Sequence, residues 1–374
     1  MSGLYVHIPF CAKQCSYCDF HFSTRFDGYR DEMLQGIKQE LKERKKEAKS
    51  SIKSVYFGGG TPSLLTQDEI IQLIGAIKNN YTLSKDAELT LEANPENITK
   101  ENLVGWSNAG FNRLSIGLQS FKESDLEWMN RGHSATEALK SVSLAGANGF
   151  TNVSVDLMYG LPGLNDKEWV SHLKKVVACD VAHVSAYCLT VEKGTRLARE
   201  VKKGRRVMPE DDIIEKQYNT LVSFLKKEGF EQYEVSNFAK NKQYSKHNSS
   251  YWKGVNYIGV GPSAHSFLPG KRRWNIANNL AYIKQQKEGL PFYEEEVLGK
   301  KEMWNELFLI GLRTGWGVNE SRINELGGFN EQEKATLVEH IKRGHLKHKN
   351  GCFTLTRSGF LFADAIAEDF FRVS

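Results

Sequence analysis

Cys11, Cys15 and Cys18 stand in the run Cys-Ala-Lys-Gln-Cys-Ser-Tyr-Cys, a C-x3-C-x2-C spacing. A cubane iron–sulfur cluster takes one protein ligand per iron, and four thiolates would fill it. Three cysteines leave one iron open. An open iron can bind the amino and carboxylate groups of S-adenosylmethionine and pass it an electron. The spacing therefore predicts a [4Fe–4S] cluster together with S-adenosylmethionine. Zinc, or three unrelated thiols, are the competing readings. A structural zinc needs four ligands, and no fourth Cys or His stands at a typical pairing distance; His21 is the nearest candidate.

Other residues could complete such a site. Gly58-Gly59-Gly60-Thr61-Pro62 would let backbone approach a ligand without side-chain obstruction. Its N–H and C=O groups could meet the methionyl end of S-adenosylmethionine; a tight strand–helix turn is the alternative. Glu92, in Leu-Glu-Ala-Asn-Pro-Glu, could hold an ammonium or a ribose hydroxyl. Gln119, Arg131 and Asp156 fall at comparable places in Gly-Leu-Gln-Ser-Phe, Asn-Arg-Gly-His and Val-Asp-Leu-Met-Tyr-Gly. A lone Asp at a strand end is as often a structural cap as a ligand. Four polar residues at matching places on successive units favour one shared site.

Such residues need a scaffold that brings loop ends together. Strand-like runs at 5–8, 54–57, 88–92, 113–117, 153–157 and 183–187 alternate with amphipathic stretches at 29–49, 67–79, 100–109, 135–147 and 166–178. Strands separated by crossover helices imply a parallel sheet. Six units are too few for a closed eight-stranded barrel, so an α/β fold with an open (β/α)6 partial barrel is expected, its ligands at the carboxyl ends of the strands. A further helix is expected over 209–229. Residues 230–300 are rich in aromatics, Gly and Asn, with little periodicity. From 301 the pattern reads helix, short helix near 321–326, helix 331–343, a hairpin about Asn350-Gly351 with a type I′ turn, and a last helix over 359–371. This suggests a winged-helix-like module. The expected division is 1–229, 230–300 and 301–374.

Composition limits the alternatives. The 374 residues carry a net charge of +5, with 40% hydrophobic residues, enough for a sizeable core. The basic runs at 42–49 and 202–206 alternate with Glu or sit beside Gly, and the tail has no basic stripe, so nucleic acid is not an expected partner. Cys179, Cys188 and Cys352 are scattered in apolar or mixed stretches and read as reduced thiols, which fits a reducing cytosol. No signal peptide or run of about 20 apolar residues is evident, so a cytoplasmic location is expected. Peripheral membrane contact stays open.

The strand-like run Tyr5-Val6-His7-Ile8-Pro9-Phe10, the cysteine loop and the glycine run after the second strand resemble the radical S-adenosylmethionine superfamily. More narrowly, the chain is similar, from Tyr5 to its end, to the group containing oxygen-independent coproporphyrinogen III dehydrogenase and the HemW-type haem chaperones. The resemblance implies the same partial barrel. It implies that Tyr5, Gly59, Gly60, Thr61, Glu92, Gln119, Arg131 and Asp156 line S-adenosylmethionine, with Tyr17 against adenine and the backbone of Cys188 beside the nucleoside. Whether one or two S-adenosylmethionine molecules bind stays open.

Two features separate the branches. The dehydrogenase has a further cysteine two residues after the third, where this chain has Phe20, and a long segment ahead of the motif, where ten residues precede Cys11 here. Lys246-His247-Asn248-Ser249-Ser250-Tyr251-Trp252 matches the HNxxYW signature of the chaperones. A neutral imidazole ligates haem iron well, and Tyr251 and Trp252 offer flat apolar faces to a porphyrin. Asn248 could orient the imidazole and Lys246 could meet a propionate; a structural His beside packed aromatics is the alternative. The resemblance thus implies a haem chaperone that binds haem through His247, Tyr251 and Trp252, works with an electron donor and delivers to haem-requiring proteins such as respiratory enzymes. Coproporphyrinogen III oxidase activity is expected to be absent. That oxidase, or a radical methyltransferase, is the rival.

Overall fold

The computed structural model describes residues 2–372. Six strands, β1 (Ser2–Ile8), β2 (Ile52–Gly59), β3 (Leu83–Ala93), β4 (Arg113–Gln119), β5 (Val153–Tyr159) and β6 (His183–Cys188), lie side by side in chain order, all parallel. Helices α1 (Arg30–Glu43), α2 (Gln67–Asn80), α3 (Lys100–Ala109), α4 (Glu123–Met129), α5 (Ala135–Ala147) and α6 (Asp166–Ala178) make the crossovers. The partial barrel expected from the alternation is present. β2, β4 and β5 are buried along nearly their whole length because helices cover the sheet. Thr66 with Glu69, Ser134 with Glu137 and Asn165 with Glu168 form capping boxes that start α2, α5 and α6.

The chain continues through α7 (Arg196–Lys202), which the sequence pattern does not reveal, and α8 (Asp211–Lys227). Residues 230–300 are more regular than their periodicity suggests. They form β7 (Glu231–Gln232), β8 (Asn237–Ala239), α9 (Lys246–Trp252), β9 (Tyr257–Val260), β10 (His265–Leu268), β11 (Lys271–Asn275), α10 (Asn279–Glu288) and β12 (Tyr293–Val297). Short strands carry too few residues to show a period. β8 and β7 extend the sheet beyond β6, while β9 lies parallel against β1 and is followed outward by antiparallel β10, β11 and β12. The result is one sheet of 12 strands. Fully buried Glu40 of α1 ties on this added edge. It accepts from Gly261 N–H at 2.9 Å, Asn275 Nδ2 at 2.8 Å, Tyr282 O–H at 2.7 Å and Arg44 Nη1 at 3.1 Å. A buried carboxylate is tolerable only with partners of this kind.

The tail contains α11 (Lys300–Gly311), β13 (Val318–Asn319), α12 (Glu320–Glu325), α13 (Glu331–Lys342), β14 (Leu346–Lys349) and β15 (Cys352–Leu355), around its own core of Trp304, Phe308, Ile323 and Phe370. The expected hairpin turn is observed, with positive φ at Asn350 (54°) and Gly351 (71°). The expected last helix is instead two short ones, α14 (Arg357–Phe360) and α15 (Ala363–Glu368), with a break at Leu361 and Phe362. Among the described residues no helix is long and apolar enough to cross a membrane.

The glycine run locks the strand ends together. Gly60 N–H donates to Ile8 C=O at 2.8 Å and Thr61 N–H to Phe10 C=O at 2.6 Å. A Cβ on Gly60 would stand 2.5 Å from the Phe10 carbonyl oxygen, whereas one on Gly75, inside α2, would meet nothing within 4 Å. Gly60→Ala should therefore lower the unfolding free energy by about 1–3 kcal/mol through backbone displacement. Gly75→Ala should raise it by about 0.5–1 kcal/mol. Urea titration of both variants checks the contrast, and equal effects would count against the close approach.

Candidate functional site

Two adjoining chambers open at the carboxyl ends of the parallel strands. The first, about 580 Å3, is bordered by Cys11, Cys15 and Cys18. Their loop is held from several directions. Cys11 N–H donates to Ser23 C=O at 3.0 Å and Ser23 N–H to Pro9 C=O at 2.8 Å, which closes its base. Ser16 N–H donates to Met129 C=O at the end of α4, and Leu197 N–H of α7 donates to Ser16 C=O. Asn130 Nδ2 holds Gln14 C=O at 2.8 Å.

All six cysteines are free thiols. Thr61 Oγ1 donates to Cys11 Sγ at 3.4 Å, and Arg131 Nη1 to Cys15 Sγ at 3.5 Å. Burial pushes the Cys11 thiol up to about 12 and the Cys18 thiol up to about 11. Thiolates therefore need a metal's positive charge to form here. Among the described residues no three His, Cys, Asp or Glu side chains converge on one ion. His21, the nearest candidate for a fourth zinc ligand, gives its Nε2 to Asn279 Oδ1 at 2.7 Å. The donor set, with hydroxyl and guanidinium donors on the sulfurs, fits an iron–sulfur cluster.

Of the residues expected around S-adenosylmethionine, Tyr17, Gly59, Gly60, Thr61, Glu92, Gln119, Arg131, Asp156 and Cys188 all border this chamber. Tyr5 does not. It borders the second chamber, pairing its hydroxyl with His7 Nδ1 at 3.2 Å and stacking against Tyr56 and His247. The reason is lateral position in the sheet: Tyr5 pairs with Tyr56 on one side and with Gly259 of β9 on the other, and its ring stacks on His247 of α9. Gln119 holds a left-handed backbone at φ 67°, which turns the chain as it leaves β4. Arg131 also donates to Asn94 Oδ1 at 2.7 Å and Gly117 C=O at 2.8 Å.

The chamber keeps two buried carboxyls. Tyr56 O–H donates to Glu92 Oε1 at 2.7 Å and Gly59 N–H to Glu92 Oε2 at 3.3 Å. Burial nevertheless pushes Glu92 up to about 7. Ser115 Oγ donates to Asp156 at 3.2 Å, and burial pushes Asp156 up to about 6. Such a site gains by receiving a cation, and S-adenosylmethionine carries ammonium and sulfonium charges.

The second chamber, about 640 Å3, is bordered by His247, Tyr251 and Trp252 of α9, with Tyr257, Phe267 and Ile310. Asp19, Phe20, Tyr56, Gly59, Glu92, Tyr187 and Asn248 border both chambers and form their common wall. Phe20 is 66% exposed there and Tyr187 42%. His247 is 1% exposed, its Nδ1 paired with Ser54 Oγ at 2.9 Å and its Nε2 with Tyr251 O–H at 2.7 Å. Burial pushes it down to about 3, so it is neutral. As placed, it offers neither ring nitrogen to an iron. The hydroxyls of Ser54 and Tyr251, not Asn248, orient the ring. Lys246 does not border the chamber, and its exposed ammonium pairs with Asp86 Oδ2 at 2.8 Å.

Sequence reasoning missed Ser54, Tyr56, Ser115, Tyr187 and Glu88. Glu88 accepts from Lys246 N–H at 3.1 Å and His247 N–H at 3.2 Å, clamping the start of α9 to β3. Strand alternation could have flagged Glu88, which precedes Glu92 on β3 by two alternations and so shares its face, and Tyr56, which shares its face with Ser54 on β2.

The Radical SAM superfamily description matches residues 5–176. The chain is 36% identical over 369 residues to Heme chaperone HemW of Mycobacterium tuberculosis (strain ATCC 25618 / H37Rv), covering 97% of this chain and 93% of the relative. It is 33% identical over 371 residues to Heme chaperone HemW of Bacillus subtilis (strain 168), covering 98% of each. Coproporphyrinogen III oxidase (HemN) from Escherichia coli superposes with a TM-score of 0.86 at 22% identity, covering 99% of this chain and 89% of that one. That likeness establishes the fold.

Glu92 and Asp156 bind protons more tightly folded than unfolded, where carboxyls titrate near 4. Their contribution to stability is full below about pH 4 and is lost as pH rises through 6 and 7. The ligand-free chain should therefore lose more of its Tm between pH 5.5 and 8 than Glu92→Gln does, by a difference worth about 1–3 kcal/mol. Thermal melts at both pH values check this; equal losses would mean that Glu92 titrates normally.

Proposed function

This chain belongs to the HemW haem chaperone family within the radical S-adenosylmethionine superfamily, and we propose that it binds haem and passes it to haem-requiring acceptor proteins. The observation that carries this reading is the second chamber: aromatic faces and histidines beside the thiolate chamber, with exposed Phe20 on the wall between them. An aromatic-lined chamber of this size suits a planar, largely apolar ligand. Burying half of such a macrocycle would contribute several kcal/mol at about 25 cal/mol per Å2.

In this reading Cys11, Cys15 and Cys18 hold a [4Fe–4S] cluster, which when bound supplies an electron. Thr61 and Arg131 steady its sulfur ligands through the contacts described above. Glu92 and Asp156 receive the positive charge of S-adenosylmethionine, Gly59 and Gly60 let it approach the backbone, and Tyr17 flanks it. Tyr251 and Trp252 face haem. An electron donor and acceptors such as respiratory enzymes are the partners, reached from the cytoplasm or by peripheral contact with a membrane. Phe20 stands where the oxidase branch carries a cysteine, and a phenyl ring neither ligates metal nor carries a proton. Propionate decarboxylation is therefore not part of the proposed activity.

Anaerobically reconstituted protein should hold about four irons per chain. Changing Cys11, Cys15 or Cys18 to Ala should abolish this, while Cys179→Ala and Cys352→Ala should not; stoichiometric zinc without sulfide would sink the cluster assignment. The same preparation should bind haem, Trp252→Ala should bind it more weakly, and coproporphyrinogen III should remain unconverted. Robust S-adenosylmethionine-dependent decarboxylation would replace the chaperone reading with the oxidase.

A further inference from the structure

We infer that His265 supplies the imidazole that meets haem iron in the second chamber, and that His247 serves instead to build the chamber's wall. This inference rests on the haem reading above. Four histidines border the chamber: His7, His21, His247 and His265. They differ in what their ring nitrogens already do. His247 has both nitrogens paired to hydroxyls and is 1% exposed. His7 pairs Nδ1 with Tyr5 and Nε2 with the His21 carbonyl oxygen at 2.8 Å, and is also buried. His21 gives Nε2 to Asn279 Oδ1, which leaves its Nδ1 open, but its ring is only partly exposed and lies 6.0 Å from the His7 ring. His265 is exposed, and neither of its ring nitrogens has a hydrogen-bond partner among the described residues.

The backbone of His265 is firmly placed although its ring edge is free. It opens β10, opposite Trp274 of β11, and its ring lies over the indole at 6.4 Å between centroids and 26° between planes. Its carbonyl oxygen packs against β9 so closely that a Cβ on Gly259 would stand 1.9 Å away. Partial desolvation of the ring and the nearby Arg272 guanidinium hold the imidazole below its ordinary value, which keeps a lone pair available at neutral pH. Arg272, ion-paired with Glu306, is the one Arg or Lys among the described lining residues and could meet an acidic side arm.

The ligand class follows from the donor count. Among the described residues no three ligating side chains converge here on a bare ion. A metalloporphyrin brings its own four equatorial nitrogens and asks the protein for axial ligation alone. One unpartnered imidazole beside the faces of Tyr257, Phe267 and Trp252 meets that requirement.

Ferric haem titrated into the reconstituted full chain, read as Soret difference spectra and by EPR of the haem iron, tests this. His265→Ala should shift the Soret band, change the iron's spin signal and weaken binding at least tenfold. Added imidazole should restore the spectrum. His247→Gln should keep the wild-type spectrum, whatever it does to the Tm. A wild-type spectrum and affinity in both His265→Ala and His265→Gln would overturn the assignment, as would loss of the axial signal in a folded His21→Ala or a folded His247→Gln. Absence of haem binding by the unaltered chain would reject the haem reading, and this assignment with it, before any variant is compared.

Discussion

Everything at the strand ends depends on how closely the backbone of the glycine run lies against the end of β1. Gly60 and Thr61 give their N–H groups to the Ile8 and Phe10 carbonyls, and there is no room for a Cβ between them. This contact prolongs the β1–β2 pairing past the last regular residues and delivers Cys11 next to Thr61 Oγ1. It also presents bare backbone to one chamber while Gly59, at φ 105°, sits under the His7 ring of the other. Glycine is required twice over, for space at one position and for a left-handed backbone at the next.

Three buried carboxylates then assemble what surrounds those ends. Glu40 holds β9, β10 and α10 to the first helix, Glu88 clamps the start of α9 to β3, and Glu92 reaches from β3 to Tyr56 and Gly59. They differ in how fully they are answered. Glu40 receives a guanidinium and several donors, and Glu88 has two backbone N–H groups. Glu92 has one hydroxyl and one long backbone contact. The carboxylate left least satisfied faces the chamber, where a cationic ligand would complete it.

The two chambers thus have different characters on either side of a shared wall. One is polar, with thiols, carboxyls and Arg131. The other is aromatic, with histidines at several degrees of engagement. Phe20 borders both from the cysteine loop itself. A side chain two residues past the last cysteine therefore affects what can occupy the second chamber as well as the first.

The sequence by itself determined what depends on near neighbours. The C-x3-C-x2-C spacing, the six strand–helix units and the Asn350-Gly351 turn all arise from contacts within a few residues, so their period or residue type shows directly. It also marked most of the first chamber, because polar residues at successive strand ends share one rim of a parallel sheet. Only the tertiary structure decided how the edge strands join and what α9 does. β9 pairs with β1 across some 250 residues of chain, and no local pattern records that choice. His247 finds Ser54 at a separation of 193 residues. Its residue type suggests a ligand, but its partners make it a buried neutral anchor, and which histidines keep a free lone pair is visible only when the hydrogen bonds around the chamber have been placed.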